Sequence, residues 1–167
     1  MKEDFLNILE RLTQHQVDFV LVGGLAGIVH GCSYVTQDID ICCEFSVSNL
    51  LRIQKAISDL HPVHRMTPKK MPLELTEESS RNLKNLYLDT DIGTLDCLGF
   101  IDGVGDFTAV CKSAITYQVE DILLRILSLD GLIKAKQAMN RPRDQEMIIQ
   151  LETIKKQIET KKNDSNP

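Results

Sequence analysis

The chain has 167 residues, of which 43% are hydrophobic and 26% charged, and its formal net charge at pH 7 is −5. These values are ordinary for a globular domain in water, and no apolar run reaches the length of a membrane-spanning helix. The negative net charge argues against broad, nonspecific binding to nucleic acid, although a local basic groove is compatible with it. We expect one domain over residues 1–160 and a disordered polar tail over residues 161–167.

The cysteines favour a reducing compartment. There are five of them, an odd number, and they include the adjacent pair Cys42-Cys43 but no CxxC motif. Adjacent cysteines have poor geometry for a mutual bridge, so the pattern indicates neither a disulfide framework nor a zinc site. The charged start, Met1-Lys2-Glu3-Asp4, is unlike a secretory signal. The sequence therefore predicts a cytoplasmic protein that does not associate with membranes.

The first part of the chain alternates helical and strand patterns. Apolar residues at helical spacing predict a helix over residues 4–14. A nearly continuous apolar run from Val17 to Val22 predicts a buried strand that ends at Gly23-Gly24. The patterns that follow predict a short helix over Leu25–His30, a strand over Asp38–Glu44, and a helix that Ser46 or Ser48 caps and that ends near Leu60.

A surface loop is predicted over His61–Thr76, which contains three prolines and the basic pair Lys69-Lys70. The elements expected after it are a short helix over Glu77–Leu83, a hairpin of Leu86–Thr90 with Thr94–Leu98, a helix over Phe107–Ala114, a second hairpin of Ile115–Val119 with Ile122–Leu127, a helix over Leu129–Met139 that Ser128 caps, and a last amphipathic helix over about Arg143–Ile158. This order predicts an α/β (α+β) fold in which a small mixed β-sheet is flanked by helices and the C-terminal helices pack on it.

Asp38 and Asp40 lie two residues apart in a predicted strand, so both should point to one face while Ile39 and Ile41 point into the core. Two like charges held together are costly unless a cation neutralises them. Asp96 lies in another apolar strand, where an unpaired carboxylate would also be costly. Each aspartate alone also fits a cap or a surface position. If the two strands are neighbours, the three carboxylates converge and can hold Mg²⁺ or Mn²⁺.

Two further groups of residues have alternative interpretations. His30 either closes the short helix or contacts a ligand. Four cations lie within ten residues, and they either form a solvated helix face or include phosphate contacts from Lys136 and Arg141. The glycines match neither the GxGxxG nor the GxxxxGK[ST] pattern, so the fingerprints of Rossmann and P-loop proteins are absent.

Taken in chain order, these features resemble the DNA polymerase β-like nucleotidyltransferase superfamily. The resemblance is to its small prokaryotic members, which are often grouped with toxin–antitoxin systems, and it covers about residues 17–151. It rests on Gly23-Gly24, His30-Gly31, Thr36-Gln37-Asp38-Ile39-Asp40, Gly93-Thr94-Leu95-Asp96, Lys136 and Arg141-Pro142-Arg143-Asp144.

The resemblance implies metal-dependent transfer of a nucleoside monophosphate from an NTP to an RNA or protein acceptor, with pyrophosphate as the leaving group. It implies catalytic and metal-binding roles for Asp38, Asp40 and Asp96, of which Asp96 would help to activate the acceptor hydroxyl. The residues implied in nucleotide binding are Gly23, Gly24, Thr36, Lys136 and Arg141. The implied cofactor is Mg²⁺ or Mn²⁺.

One position departs from the family pattern. Relatives often carry an arginine two residues before the motif threonine, and this chain has Tyr34 there. The alternative hypothesis is therefore a catalytically degenerate module that binds nucleotide or neutralises a cognate toxin or antitoxin partner.

The acceptor is expected at a basic edge of the same cleft. Residues expected there are His64, Arg65, Lys69, Lys70, Lys134 and Lys136. A basic rim suits an RNA end or an acidic protein. The other interpretation is that Lys69 and Lys70 simply keep a mobile loop soluble.

Overall fold

The predicted helices and strands assemble into one sheet covered by helices. The computed structural model describes residues 3–164, and the side chains of residues 3–161. Its helices are α1 (Glu3–Gln14), α2 (Gly23–Val29), α3 (Val47–Ala56), α4 (Glu77–Ser80), α5 (Phe107–Lys112), α6 (Leu129–Met139) and α7 (Pro142–Asp164), with a short 3-10 helix over Ser58–Leu60. Its strands are β1 (Phe19–Val22), β2 (Asp38–Cys43), β3 (Val63–His64), β4 (Asn85–Thr90), β5 (Gly93–Leu98), β6 (Phe100–Ile101), β7 (Gly105–Asp106), β8 (Ala114–Val119) and β9 (Ile122–Leu127).

Seven strands form a mixed sheet in the order β3-β4-β5-β2-β1-β9-β8, and β6 and β7 pair separately. Two pairs, β1 with β9 and β2 with β5, are parallel, and the other four pairs are antiparallel. The prediction of a small mixed sheet flanked by helices is confirmed. The order places β2 at the centre of the sheet, between β1 and β5.

The alternation of residues along β2 separates the core from the opposite face of the sheet. Ile39 and Ile41 are fully buried, whereas Asp38 and Asp40 retain some exposure. Strand β1 is buried along its whole length, as its continuous apolar run predicts. Burying a side chain such as Ile39 stabilises the fold by about 1.5–3 kcal/mol. The central strand is therefore anchored by its isoleucines while it presents its aspartates.

Helix starts agree closely with their capping residues. The Ser46 hydroxyl accepts a hydrogen bond from the Asn49 amide, which identifies Ser46 as the residue that caps α3. Ser128 does the same for α6 through the Gly131 amide. Helix α2, in contrast, begins at Gly23 and so includes both glycines that the sequence assigned to the turn.

The predicted loop after Leu60 and the predicted end of the last helix both differ from the structure. Within the predicted loop over His61–Thr76, Val63 and His64 form the edge strand β3, because their backbone groups pair with Asp89 and Leu88 of β4. Helix α7 continues past Ile158 to Asp164, since this stretch has many good helix formers and no glycine or proline. The polar tail predicted over residues 161–167 is thus helical to Asp164, and residues 165–167 lie outside the described part. No helix within residues 3–164 has the length and apolar character needed to cross a membrane.

Candidate functional site

Three carboxylates converge on the central strands of the sheet. Strands β2 and β5 are parallel neighbours, and their register sets Asp40 beside Asp96 and Asp38 beside Thr94. One carboxylate oxygen from each of Asp38, Asp40 and Asp96 can be chosen so that all three lie within 4.8 Å of one another. This donor set consists only of carboxylate oxygens, the ligands that Mg²⁺ and Mn²⁺ prefer. The residues therefore fit the implied divalent cation.

The clustering of the carboxylates changes their proton affinity. The pKa of Asp40 is raised from 3.8 to about 6, chiefly because the group is buried and also because Asp38 and Asp96 repel its charge. Lys136 and a hydrogen bond from the Gly24 amide oppose this rise. Burial also raises the pKa of Asp96, against the opposing effect of Arg65. The site thus favours positive charge, whether from a proton, an arginine or a metal ion.

The paired glycines allow the junction of β1 and α2 to approach the carboxylates. Gly23 has a φ of +67°, and a Cβ atom there would lie 2.1 Å from Asp40 Oδ2. A Cβ atom on Gly24 would lie 2.9 Å from Thr36 Oγ1. The Thr36 hydroxyl in turn lies 2.9 Å from Asp38 Oδ1, to which it donates. Both glycines are therefore required by close contacts inside the site.

A buried aspartate holds two cations at the cleft. Asp144 is 1% exposed, and Lys136 Nζ donates to its Oδ1 at 2.9 Å. Arg141 donates to the same carboxylate, from Nε at 2.6 Å and from Nη2 at 3.1 Å. Burial alone would raise the pKa of Asp144, but the hydrogen bonds from Arg141 and Lys136 hold it below its usual value. Because Lys136 is itself only 6% exposed, the solvated-face interpretation is wrong for this lysine.

Arg65 contacts one of the three carboxylates directly, although the sequence predicted it only for the edge of the cleft where the acceptor is expected. Its Nη2 donates to Oδ2 of Asp96 at 2.6 Å and also to Oδ1 of the same carboxylate. Its guanidinium carbon lies 5.8 Å from the centre of the Tyr87 ring. Arg65 directly follows the two-residue edge strand β3, which no local pattern indicated.

One cleft of about 520 Å³ contains all the residues that the sequence predicted for the site. Those residues are Gly23, Gly24, Thr36, Asp38, Asp40, Asp96, Lys136 and Arg141. Tyr34, Arg65 and Arg143 also line it. The cleft therefore has carboxylates from the sheet and cations from the β3–β4 side and from the C-terminal helices.

The other predicted residues lie outside this cleft. The His30 ring donates from Nε2 to the Leu127 carbonyl at 2.8 Å, which ties the end of α2 to β9. This bond favours the structural interpretation of His30. Of the residues expected at the acceptor edge, Arg65 and Lys136 line the cleft, whereas His64, Lys69, Lys70 and Lys134 do not. Lys70 instead pairs with Asp89 at 3.0 Å.

The chain resembles known proteins in structure rather than in sequence. No protein-family model matches the chain, and no curated protein matches it in sequence. The chain is similar to the structure of an inferred nucleotidyltransferase from Thermotoga maritima, with a TM-score of 0.58, 17% identity and 96% of each chain covered. It is also similar to the aminoglycoside nucleotidyltransferase ANT(2″)-Ia in complex with adenylyl-2″-tobramycin, with a TM-score of 0.55, 12% identity, and 96% of this chain and 99% of that chain covered. At these identities the likeness shows the fold, and the protein has the nucleotidyltransferase fold.

Proposed function

We propose that the protein is a metal-dependent nucleotidyltransferase that moves a nucleoside monophosphate from an NTP to an acceptor hydroxyl. The observation that carries this proposal is the convergence of Asp38, Asp40 and Asp96, whose ligand oxygens lie within 4.8 Å of one another in one cleft. The nucleotidyltransferase fold and the cations opposite these carboxylates support it.

The carboxylates, the cations and the glycines of the cleft have separate proposed roles in the reaction. Asp38, Asp40 and Asp96 would hold Mg²⁺ or Mn²⁺, which neutralises the charge that develops on the phosphate oxygens during transfer. Lys136 and Arg141, fixed by Asp144, present positive charge to the triphosphate. Gly23 and Gly24 let the backbone approach Asp40 and Thr36 closely beside the proposed phosphate site.

Asp96 takes the proton of the acceptor hydroxyl. The acceptor oxygen then bonds to the α-phosphorus, and the bond from this phosphorus to the bridging oxygen breaks. Pyrophosphate leaves with the electron pair of that bond. Positioning and charge neutralisation account for most of the catalysis in such transfers.

The proposed acceptor is an RNA end or a protein, and the proposed setting is cytoplasmic, with a cognate toxin or antitoxin as a partner. Arg65, which lines the cleft, contributes positive charge to the edge at which the acceptor is expected. A cation-lined edge of this kind suits a phosphodiester end or an acidic protein surface.

A second candidate function is a nucleotide-binding module without catalysis. The observation that favours it is Tyr34, which lines the cleft at the position where related sequences often carry an arginine. A missing phosphate contact slows transfer without preventing nucleotide binding when that contact is made mainly in the transition state.

Labelled NTPs distinguish the two functions. We expect purified protein with Mg²⁺ to transfer label from an α-³²P-labelled NTP to an acceptor in a cell lysate. Asp38→Asn and Asp40→Asn should abolish transfer, whereas Asp121→Asn, at the exposed turn between β8 and β9, should not. NTP binding by calorimetry without any labelled product would favour the module, and absence of both would contradict the two functions together.

A further inference from the structure

Arg65 is bonded to Asp96, the carboxylate that the proposed function assigns to the metal ion and to the proton of the acceptor hydroxyl. Its Nη2 donates to both oxygens of Asp96, and the contact with Oδ2 is 2.6 Å long. Hydrogen bonds between ionised partners are roughly twice as strong as neutral ones. A divalent cation that binds Asp96 must therefore share its oxygens with the guanidinium or displace it.

The surroundings of Arg65 favour a shift of its side chain toward a new hydrogen-bond acceptor. Its Nε atom is buried but makes no hydrogen bond to any described residue, and the nearest carboxylate oxygen to it in an ion pair, Asp89 Oδ1, is 4.0 Å away. An unpaired buried N–H is costly, so a new acceptor for it would be stabilising. The arginine lines the same cleft as Gly23, Lys136 and Arg141. A phosphate group bound there would provide acceptor oxygens for the planar fork of the guanidinium.

Tyr34 lines the same cleft with an uncharged ring that lies against Gly24. Arg65 enters the same cleft from a different element, the segment after β3. It can thus supply from the sheet edge a positive charge that position 34 does not provide.

We propose that Arg65 is an exchangeable counter-ion, which competes with the divalent cation for Asp96 and, once displaced, binds the phosphate chain of the nucleotide. The proposal rests on the proposed function. In this role Arg65 both lowers the affinity of the site for the metal ion and contributes to the binding of the nucleotide donor.

Manganese affinity tests the first half of the proposal without any turnover. We expect Arg65→Gln to bind Mn²⁺ about tenfold more tightly than the wild type in an electron paramagnetic resonance titration, because the competing guanidinium is gone. Arg143→Gln is the matched control, since it removes the same charge from the same cleft and Arg143 makes no described bond to Asp96. We expect this control to change the affinity less than threefold. Arg65→Lys, which keeps the charge but loses the fork, should lie between the wild type and Arg65→Gln.

Tripolyphosphate tests the second half. With excess Mn²⁺, we expect Arg65→Gln to bind inorganic tripolyphosphate about tenfold more weakly than the wild type by calorimetry, and Arg143→Gln to lose less than threefold. Equal Mn²⁺ affinity in the wild type, Arg65→Gln and Arg143→Gln, or undiminished tripolyphosphate binding in Arg65→Gln, would overturn the role of Arg65 alone. Failure of the wild type to bind Mn²⁺ in a way that Asp40→Asn abolishes would overturn the proposed function as well.

Discussion

At the scale of single residues, the site concentrates groups whose charges disfavour the folded state unless they are paired. Asp144 is stabilised by two cations, whereas Asp40 is buried beside two other carboxylates. Residues with such opposite electrostatic surroundings should respond oppositely to neutralisation. This contrast separates residues that stabilise the fold from residues that only the chemistry requires.

Replacing Asp40 by Asn should stabilise the protein at neutral pH. The folded state raises the pKa of Asp40 from 3.8 to about 6, so the wild type loses stability as pH rises from about 4 to 6. Above pH 6 the loss is complete and amounts to about 3 kcal/mol by the size of the shift. We therefore expect Asp40→Asn to raise the free energy of unfolding at pH 7.5, measured in urea with EDTA, by about 1–3 kcal/mol. The gain should shrink at pH 4.5.

The exposed variant Asp121→Asn controls for the change of net charge, and we expect its free energy of unfolding to differ from that of the wild type by less than about 0.5 kcal/mol. A lower stability of Asp40→Asn than of the wild type at pH 7.5 would contradict the prediction, as would an equal gain at both pH values.

Replacing Asp144 by Asn should have the opposite effect. Lys136 would remain buried with a neutral partner, and breaking a buried ion pair costs about 3–5 kcal/mol. We expect the free energy of unfolding to fall by about 3 kcal/mol and NTP affinity to fall because Lys136 and Arg141 lose their fixed positions. Asp130→Asn is the comparison, because it breaks the exposed pair with Lys155 and should cost under about 1 kcal/mol. Similar losses in the two variants would show that the burial of Asp144 is unimportant.

At the scale of secondary structure elements, sequence patterns predicted the structure correctly where interactions between neighbouring residues determine it. Ser128 and the helix after it, and both hairpins, have the predicted positions because capping and turn formation involve neighbours in sequence. The shared face of Asp38 and Asp40 was predictable for the same reason. The edge strand at Val63 was missed because its pairing with β4 is more than 20 residues away in the chain and prolines surround it.

The junction between β1 and α2 gives a prediction at this scale. We expect Gly23→Ala to destabilise the protein by about 2–4 kcal/mol, because alanine is strained at a positive φ and its Cβ would collide with Asp40. It should also abolish cation binding by moving that carboxylate.

Gly31→Ala is the matched control for this junction. Gly31 also has a positive φ, of +105°, but a Cβ atom there would meet nothing closer than 3.8 Å. Its cost should be limited to backbone strain of about 1 kcal/mol, and cation binding should persist. Thermal unfolding and Mn²⁺ titration of both variants measure the difference. Loss of cation binding in both variants would show that the collision is not the cause.

At the scale of the whole molecule, the order of strands determines which charged residues meet. Asp96 joins Asp40 only because β5 pairs with β2, a contact between segments more than 50 residues apart. From the sequence alone, this convergence depended on whether the two strands are neighbours, because long-range pairing leaves no local pattern. The contact of Arg65 with Asp96 required two more pairings, β3 with β4 and β4 with β5. The candidate metal ligands were therefore predictable, and their arginine partner was not.

The same strand order connects the basic loop to the site, and this gives the last prediction. Lys70 lies outside the cleft but pairs with Asp89, whose other oxygen is 4.0 Å from Arg65. Reversing the charges of Lys69 and Lys70 to Glu should weaken acceptor use about tenfold or more at low salt, because a polyanionic acceptor loses two contacts at the open edge. NTP binding should change less than threefold, since neither lysine lines the cleft that contains the proposed nucleotide contacts Lys136, Arg141 and Arg65.

The control reverses Lys55 and Lys156, which are exposed, do not line the cleft and produce the same change in net charge. Transfer of label to the acceptor, measured at 50 and 300 mM salt, distinguishes local from global charge effects, because local contacts make the wild type more salt-sensitive than the Lys69 and Lys70 variant. Equal transfer by this variant and the control at low salt would show that the loop after β3 does not contact the acceptor.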